Sequence, residues 1–278
     1  MELKITTLIE NMPSDNEALL YEHGLSLFIE FDGKKIIFDT GKSGDYIENA
    51  KLLNIPLEKT DTLIVSHGHY DHAGGVLKTI DLLKTNTTMY VGQEFFNLKH
   101  KKLEDGSYKF NGIDFSENDL IRKKIKLIKI SKDLQFISGN IVIFKKIARS
   151  NTFEKQNPKF MVKKNNDMKP DDFADEIVLG LITKKGLVVV AGCSHLGIVN
   201  ILTSISKTIN IPIYAVLGGT HLVEADAVRI SKTIEAFRNM NIKYVAVSHC
   251  TGETGIKIIK QELREGFILN NTGNVFKL

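Results

Sequence analysis

Ser66-His67-Gly68-His69-Tyr70-Asp71-His72-Ala73-Gly74-Gly75 stands where the apolar run Thr62-Leu63-Ile64-Val65 stops, and its reading decides the rest of the chain. Three imidazoles and a carboxylate fall within residues 67–72. Packing is a poor explanation, because histidine is only intermediate in burial and clustered neutral imidazoles gain little in a core. They are good ligands for zinc, iron or manganese. The spacing adds geometry: in a loop, alternate residues His67 and His69 can face one ion while Asp71 and His72 turn toward a second. A solvated surface loop is the plain alternative.

Upstream, β-branched and aromatic runs at 3–9, 25–31 and 34–38 read as strands, with Phe31-Asp32-Gly33-Lys34-Lys35 as a hairpin turn between the last two. Phe38-Asp39-Thr40-Gly41 follows, then a helical stretch at 43–53, a buried strand at 61–66, a helix at 75–84 and a strand at 87–92. From 95 to 175 the pattern weakens, leaving modest strand signals at 125–130 and 140–145, and this segment is expected to be a cap inserted within one domain spanning 1–278. Beyond it strands at 176–183, 187–192, 211–219 and 243–249 alternate with helices at 197–207, 224–239 and 254–264, before a final short strand. A meander followed by strand–helix alternation suits two sheets face to face with helices outside. Three of the later strands run into Gly-Cys-Ser-His-Leu-Gly, Gly-Gly-Thr-His-Leu and Ser-His-Cys-Thr-Gly, each followed by a helix, and ligands gather at such strand ends.

The chain's 278 residues suffice for a large core. The start Met1-Glu2-Leu3-Lys4-Ile5 has no basic leader or apolar stretch, so a secretory signal is not expected. No apolar run approaches the roughly 20 residues that cross a bilayer. The two cysteines, Cys193 and Cys250, lie in histidine-containing loops rather than in a disulfide framework, which fits a reducing cytoplasm. Net charge is +4, yet residues 95–165 carry an excess of roughly ten basic over acidic residues. That asymmetry favours a small anionic substrate, the alternative being a solvated lysine-rich surface. Nucleic acid and membrane are not expected as partners, since no aromatic-basic interleaving accompanies the charge; a homo-oligomer stays open.

With Phe38-Asp39-Thr40-Gly41 before it, the run at 66–75 resembles the HxHxDH signature of the metallo-β-lactamase superfamily. Residues 24–30 (GLSLFIE), 149–154 (RSNTFE), 191–200 (AGCSHLGIVN), 218–222 (GGTHL) and 248–252 (SHCTG) are similar to a narrower branch, the methanopterin-pathway dihydropterin-ribofuranosylaminobenzene phosphate synthases and their bacterial relatives. The resemblance spans nearly the whole chain and implies an α/β, four-layered αββα sandwich holding one or two divalent ions, zinc ahead of iron or manganese. It implies His67 and His69 on the first ion, Asp71 and His72 on the second, His249 completing the second, and Asp39 buried beneath the loop, orienting it by hydrogen bonds.

The chain departs from the wider superfamily between the first cluster and the last histidine. Most members carry a further histidine and then a metal-bridging aspartate there; here Cys193 stands near the aspartate's place, with His195 two residues on. His195 is either the replacement ligand or a substrate-facing imidazole, and Cys193 either a thiolate ligand or a small buried residue. His221 could be a ligand, a general acid that protonates a leaving group or a donor to a phosphate, with substrate contact or acid catalysis ranked first. His23 is either at the same mouth or simply solvated, and His100 is expected on the surface. Arg149, Thr152 and Glu154, following Lys145 and Lys146, are the candidate substrate contacts in the stretch similar to that branch.

The default chemistry is hydrolysis through a metal-bound water, with Asp71, His195 and His221 as catalytic candidates. The family resemblance implies an alternative: joining a dihydropterin-methyl diphosphate to a ribofuranosylaminobenzene phosphate, with pyrophosphate leaving. A non-catalytic metal-binding sensor or scaffold is the third reading.

Overall fold

Runs that are apolar without alternation, such as Leu187–Ala191, belong to strands buried on both faces. In the computed structural model, which describes residues 2–83 and 87–278, they line up in two sheets. Strands β1 (Leu3–Ile9), β2 (Ser26–Phe31) and β3 (Lys34–Phe38) form the antiparallel meander. Asp32 and Gly33, both at positive φ, make its two-residue turn. Then come α1 (Tyr46–Leu52), β4 (Thr62–Ile64), the single turn α2 (Tyr70–Ala73), α3 (Val76–Ile80) and β5 (Thr88–Gly92). The helix expected at 75–84 is thus shorter, and its last residue lies outside the described residues.

The middle of the chain supplies β6 (Leu98–Lys102), β7 (Tyr108–Phe110), α4 (Glu117–Arg122), β8 (Lys126–Ile130), β9 (Leu134–Phe136), β10 (Ile141–Phe144), β11 (Phe160–Lys164) and β12 (Asp167–Pro170). The later half runs β13 (Val178–Thr183), β14 (Gly186–Ala191), α5 (Ile198–Thr208), β15 (Ile213–Gly219), α6 (Ala227–Asn239), β16 (Tyr244–Ser248), α7 (Gly252–Leu263), β17 (Phe267–Leu269) and β18 (Val275–Lys277).

One seven-stranded sheet has the order β18-β1-β2-β3-β4-β5-β8 and the other β17-β16-β15-β14-β13-β10-β9. Leu27, Ile29 and Phe38 from the first interdigitate with Leu179, Val188, Val190 and Leu217 from the second in a shared inner core. The alternate residues point outward. Phe28 and Ile37 pack under Tyr46, Ala50 and Val76, while Leu187, Val189 and Val216 pack under Ile201, Ile205, Ile234 and Ile259. Helix, sheet, sheet, helix is the αββα order the sequence pattern implied.

The segment 95–175 is not one continuous insertion. Only β6, β7, β11 and β12 stand apart, as a four-stranded sheet of order β12-β11-β6-β7. Its neighbours β8, β9 and β10 extend the two large sheets, which explains the strand signals at 125–130 and 140–145. β6, β7 and β12 were invisible in the sequence because most of their residues face solvent and carry no alternating apolar face.

Candidate metal centre

Strands β14, β15 and β16 are mutually parallel, as are β3, β4 and β5, so the turns that follow several of them gather at one edge of the sandwich. The loop after β4 is shaped from beneath by Asp39. Its Oδ1 accepts from the Ser66 amide at 2.7 Å and its Oδ2 from Ser66 Oγ at 2.8 Å, while His72 Nδ1 lies 2.7 Å from Oδ2. Gly74 and Gly75 are required by the same fit, since a Cβ on them would stand 2.0 Å from Lys42 O and 2.2 Å from Thr40 O.

Two donor sets converge here. In the first, His67 Nε2 lies 3.0 Å and His195 Nε2 3.1 Å from His69 Nδ1. Burial pushes the pKa of all three imidazoles well below the usual 6.5, so they are neutral. Ser66 Oγ gives its proton to Asp39 and therefore accepts from His67 Nδ1, which leaves the His67 Nε2 lone pair facing the other rings.

In the second set, His72 Nε2 lies 3.1 Å from both Cys193 Sγ and His249 Nε2, and Asp71 Oδ2 is 3.4 Å from His249 Nε2. Asn11 Oδ1, which accepts from the Gly24 amide, accepts from His249 Nδ1 at 2.8 Å and so directs Nε2 inward. Asp39 does the same for His72. Burial works against charge on His72, but Asp39 and Asp71 outweigh it and lift its pKa to about 9. Burial likewise works against the Asp71 carboxylate, yet His72, His23 and His249 hold it well below the usual range. The set therefore draws positive charge to one point, and a divalent cation fits that point as a proton does.

The segment before β13 joins both ligand loops. Asp175 Oδ2 accepts from the Gly68 amide at 2.7 Å, between His67 and His69. Its neighbour Glu176 accepts from the amides of His195 (2.8 Å) and Leu196 (2.9 Å), with burial raising its pKa to about 7. Buried Lys99 on β6 donates to Asp171 at 2.7 Å and Asp175 at 2.8 Å, linking the small sheet to the histidine loop. Glu10 holds the His249 amide at 3.0 Å. Asp39, Ser194, His221 and His249 all have φ between 50° and 61°, a strain on the order of 1–3 kcal/mol each that the surrounding hydrogen bonds over-determine.

Of the other sequence candidates, His221 stands on the cavity wall, its ring 4.4 Å from that of His195 and its ring nitrogens buried, and although burial opposes its charge the neighbouring Cys250 thiol raises its pKa. It forms a third donor cluster with Cys193 and Cys250, donor atoms within 4.8 Å of one another. His23 does reach the mouth, with Nε2 3.2 Å from Asp71 Oδ2. His100 sits on the small sheet against Phe110. Glu154 is not available to a substrate: its carboxylate accepts from the Val199 and Asn200 amides and from Asn151 Nδ2, capping the first turn of α5. Arg149 and Thr152 are exposed and line neither cavity at the site.

A cavity of about 480 Å³ opens over both donor sets, walled by Tyr70, Phe160 and His221 and overhung by Lys101 and Lys109 of the small sheet. Sequence reading passed over those lysines, Asn11 and the acids at 175 and 176. The acids had a signal, a charged pair abutting the buried run of β13; the lysines had none, being indistinguishable from their many neighbours.

A family model described as the Metallo-beta-lactamase superfamily matches residues 21–181. The chain is 32% identical over 295 residues, 99% of this chain and 96% of the relative, to the 7,8-dihydropterin-6-methyl-4-(beta-D-ribofuranosyl)-aminobenzene-5'-phosphate synthase of Methanocaldococcus jannaschii. It is similar to the crystal structure of Tm1679, described as a metal-dependent hydrolase of the beta-lactamase superfamily, with a TM-score of 0.85 and 30% identity over 99% of this chain and 98% of that one. With the metallo-beta-lactamase fold protein YhfI from Bacillus subtilis (13% identity, TM-score 0.58, 100% and 99% covered) the likeness is of fold alone.

Proposed function

Because the chain belongs to the metallo-β-lactamase superfamily, we propose that it is a metal-dependent hydrolase that cleaves a phosphorus–oxygen bond in a small anionic molecule. The observation that carries this reading is the pair of inward-facing donor sets, His67/His69/His195 and Asp71/His72/Cys193/His249, beneath a cavity overhung by Lys101 and Lys109. Mixed imidazole, thiolate and carboxylate donors suit zinc ahead of iron or manganese. Divalent ions there supply Lewis acidity, which polarises phosphoryl oxygens and lowers the pKa of water.

The chain's own residues do the rest. Lys101 and Lys109 draw the anion to the cavity and orient it. Asp71, held as a carboxylate, aligns the attacking water. His221, on the cavity wall beside Cys250, gives a proton to the departing oxygen as the P–O bond breaks. Phe160, stacked 5.4 Å from His69, limits entry of bulk water. A small-molecule substrate, with no nucleic acid or lipid bilayer, completes the reading; among the described residues no helix is long and apolar enough to cross a membrane. The test is metal analysis of the purified chain followed by assay against phosphate monoesters, diesters and diphosphates. A chain that binds no zinc, iron or manganese, or that releases phosphate equally well after chelation, would overturn it.

A second reading is favoured by one feature. A side chamber of about 340 Å³ shares Phe160, His195, His221 and Glu224 with the cavity over the donor sets, which leaves room for two reactants. Transfer of a dihydropterin-methyl group from its diphosphate to a ribofuranosylaminobenzene phosphate would use such a space, and the 32% identical relative is named as a synthase of the joined product. Pyrophosphate release that depends on the arylamine partner would establish it over hydrolysis.

A further inference from the structure

The side chamber has a chemistry of its own. Phe153, Phe160 and Phe173 form its aromatic walls, and Phe173 stacks on His195 at 4.1 Å with the rings 6° from parallel. Arg229, in the first turn of α6, enters it with a guanidinium that makes no hydrogen bond or ion pair with any described residue, and its Nε is buried without a partner. The acids nearby are otherwise engaged. Asp226 Oδ1 caps α6 through the Arg229 amide at 2.8 Å, Glu224 is held by Asn157 and lies 3.7 Å from Lys101, and Glu154 caps α5. His221 lines the same chamber. A half-buried guanidinium left unpaired costs free energy that an oxyanion recovers, because the planar fork matches phosphate or carboxylate in two parallel hydrogen bonds.

We propose that this chamber is a recognition site for the oxyanionic head of a ligand with a flat aromatic body, Arg229 taking the head and Phe153 and Phe160 the ring, with Phe173 buried behind them against His195, so that the ligand's other end reaches the metal centre past His221. This deepens the reading of the centre as acting on anionic small molecules and rests on it.

The experiment separates the two. Phenyl phosphate, benzoate and inorganic phosphate are titrated calorimetrically into the full chain, the Arg229→Gln and Phe153→Ala variants, and the full chain stripped of metal by a chelator. Phenyl phosphate or benzoate should bind more tightly than inorganic phosphate, and whichever of the two binds better identifies the head. Arg229→Gln should weaken that binding about tenfold or more, with unchanged metal content and no loss of melting temperature. Phe153→Ala should weaken the aromatic probes and not inorganic phosphate. The chelator-treated chain should keep the aromatic-anion affinity even where it has lost metal, so a failed metal reading would leave this result standing. Equal affinity in the parent and the folded Arg229→Gln chain, or no preference for the aromatic probes over inorganic phosphate, would overturn the proposal.

Discussion

Asp39 Oδ2 lies 2.7 Å from His72 Nδ1, so a carboxylate with no solvent exposure sets the tautomer of an imidazole that came from a different strand end. The same carboxylate holds Ser66, and through Ser66 Oγ it fixes His67 as well. One side chain thus orients a member of each donor set. Asp39→Asn keeps the shape but can turn an N–H toward His72, so zinc affinity should fall about 10- to 100-fold. Competition with a chromophoric chelator measures it, and unchanged affinity would assign Asp39 to loop folding alone.

Removal of the first donor set is the simplest dissection. His67→Ala combined with His69→Ala should abolish activity and lower the metal content, with a far-ultraviolet circular dichroism spectrum like that of the parent. Full activity in this variant would eliminate the mechanism.

Cys193 faces His72 Nε2 at 3.1 Å, and Cys250 Sγ lies 3.2 Å from the Cys193 carbonyl. Cys193→Ser should therefore weaken metal binding noticeably while Cys250→Ser weakens it less. Cobalt substitution gives a direct readout, because a thiolate ligand adds a charge-transfer band near the ultraviolet. Absence of any change in that band between Cys193→Ser and the parent would leave the thiol a packing group.

Protons and metal compete at His72. Its pKa of about 9 in the folded chain exceeds the ordinary 6.5, so this group stabilises the metal-stripped fold fully below pH 6.5, and the contribution is lost as pH rises through 9. A divalent ion must displace that proton, and metal affinity should climb with pH by up to about tenfold per unit across the same window. Thermal melts should accordingly show the stripped chain less stable at pH 9 than at pH 6.5 and the gain on adding zinc larger at pH 9. A zinc-induced gain that does not vary with pH contradicts the assignment.

Lys99 is almost wholly buried between Asp171 and Asp175, and although burial opposes its charge, the two carboxylates raise its pKa. Lys99→Met would leave two buried acids without a cation and should cost about 3–5 kcal/mol in denaturant unfolding. Adding Asp171→Asn and Asp175→Asn should return most of it. A loss under about 1 kcal/mol in the single variant would show that water reaches the triad.

Periodicity and motif determined a great deal by themselves. Strands buried on both faces announce themselves as uninterrupted apolar runs, so the meander, the later strand–helix alternation and the αββα order followed from composition along the chain. The loop at 66–75 was equally plain, because imidazoles spaced that closely have little other use. Tertiary structure decided what depends on distant chain segments meeting. Cys193, His195 and His249 join their sets only because β14 and β16 end beside β4, more than 120 residues away in sequence. Glu154 turned from a candidate substrate contact into a helix cap because α5 begins beside it. Arg229, unremarked among 37 basic residues, became distinct only when the fold left its guanidinium without a partner against an aromatic wall. Local pattern records which face of a strand or helix is buried; which polar groups then find or lack a partner is settled by contacts between elements, and a linear sequence holds no measure of those distances.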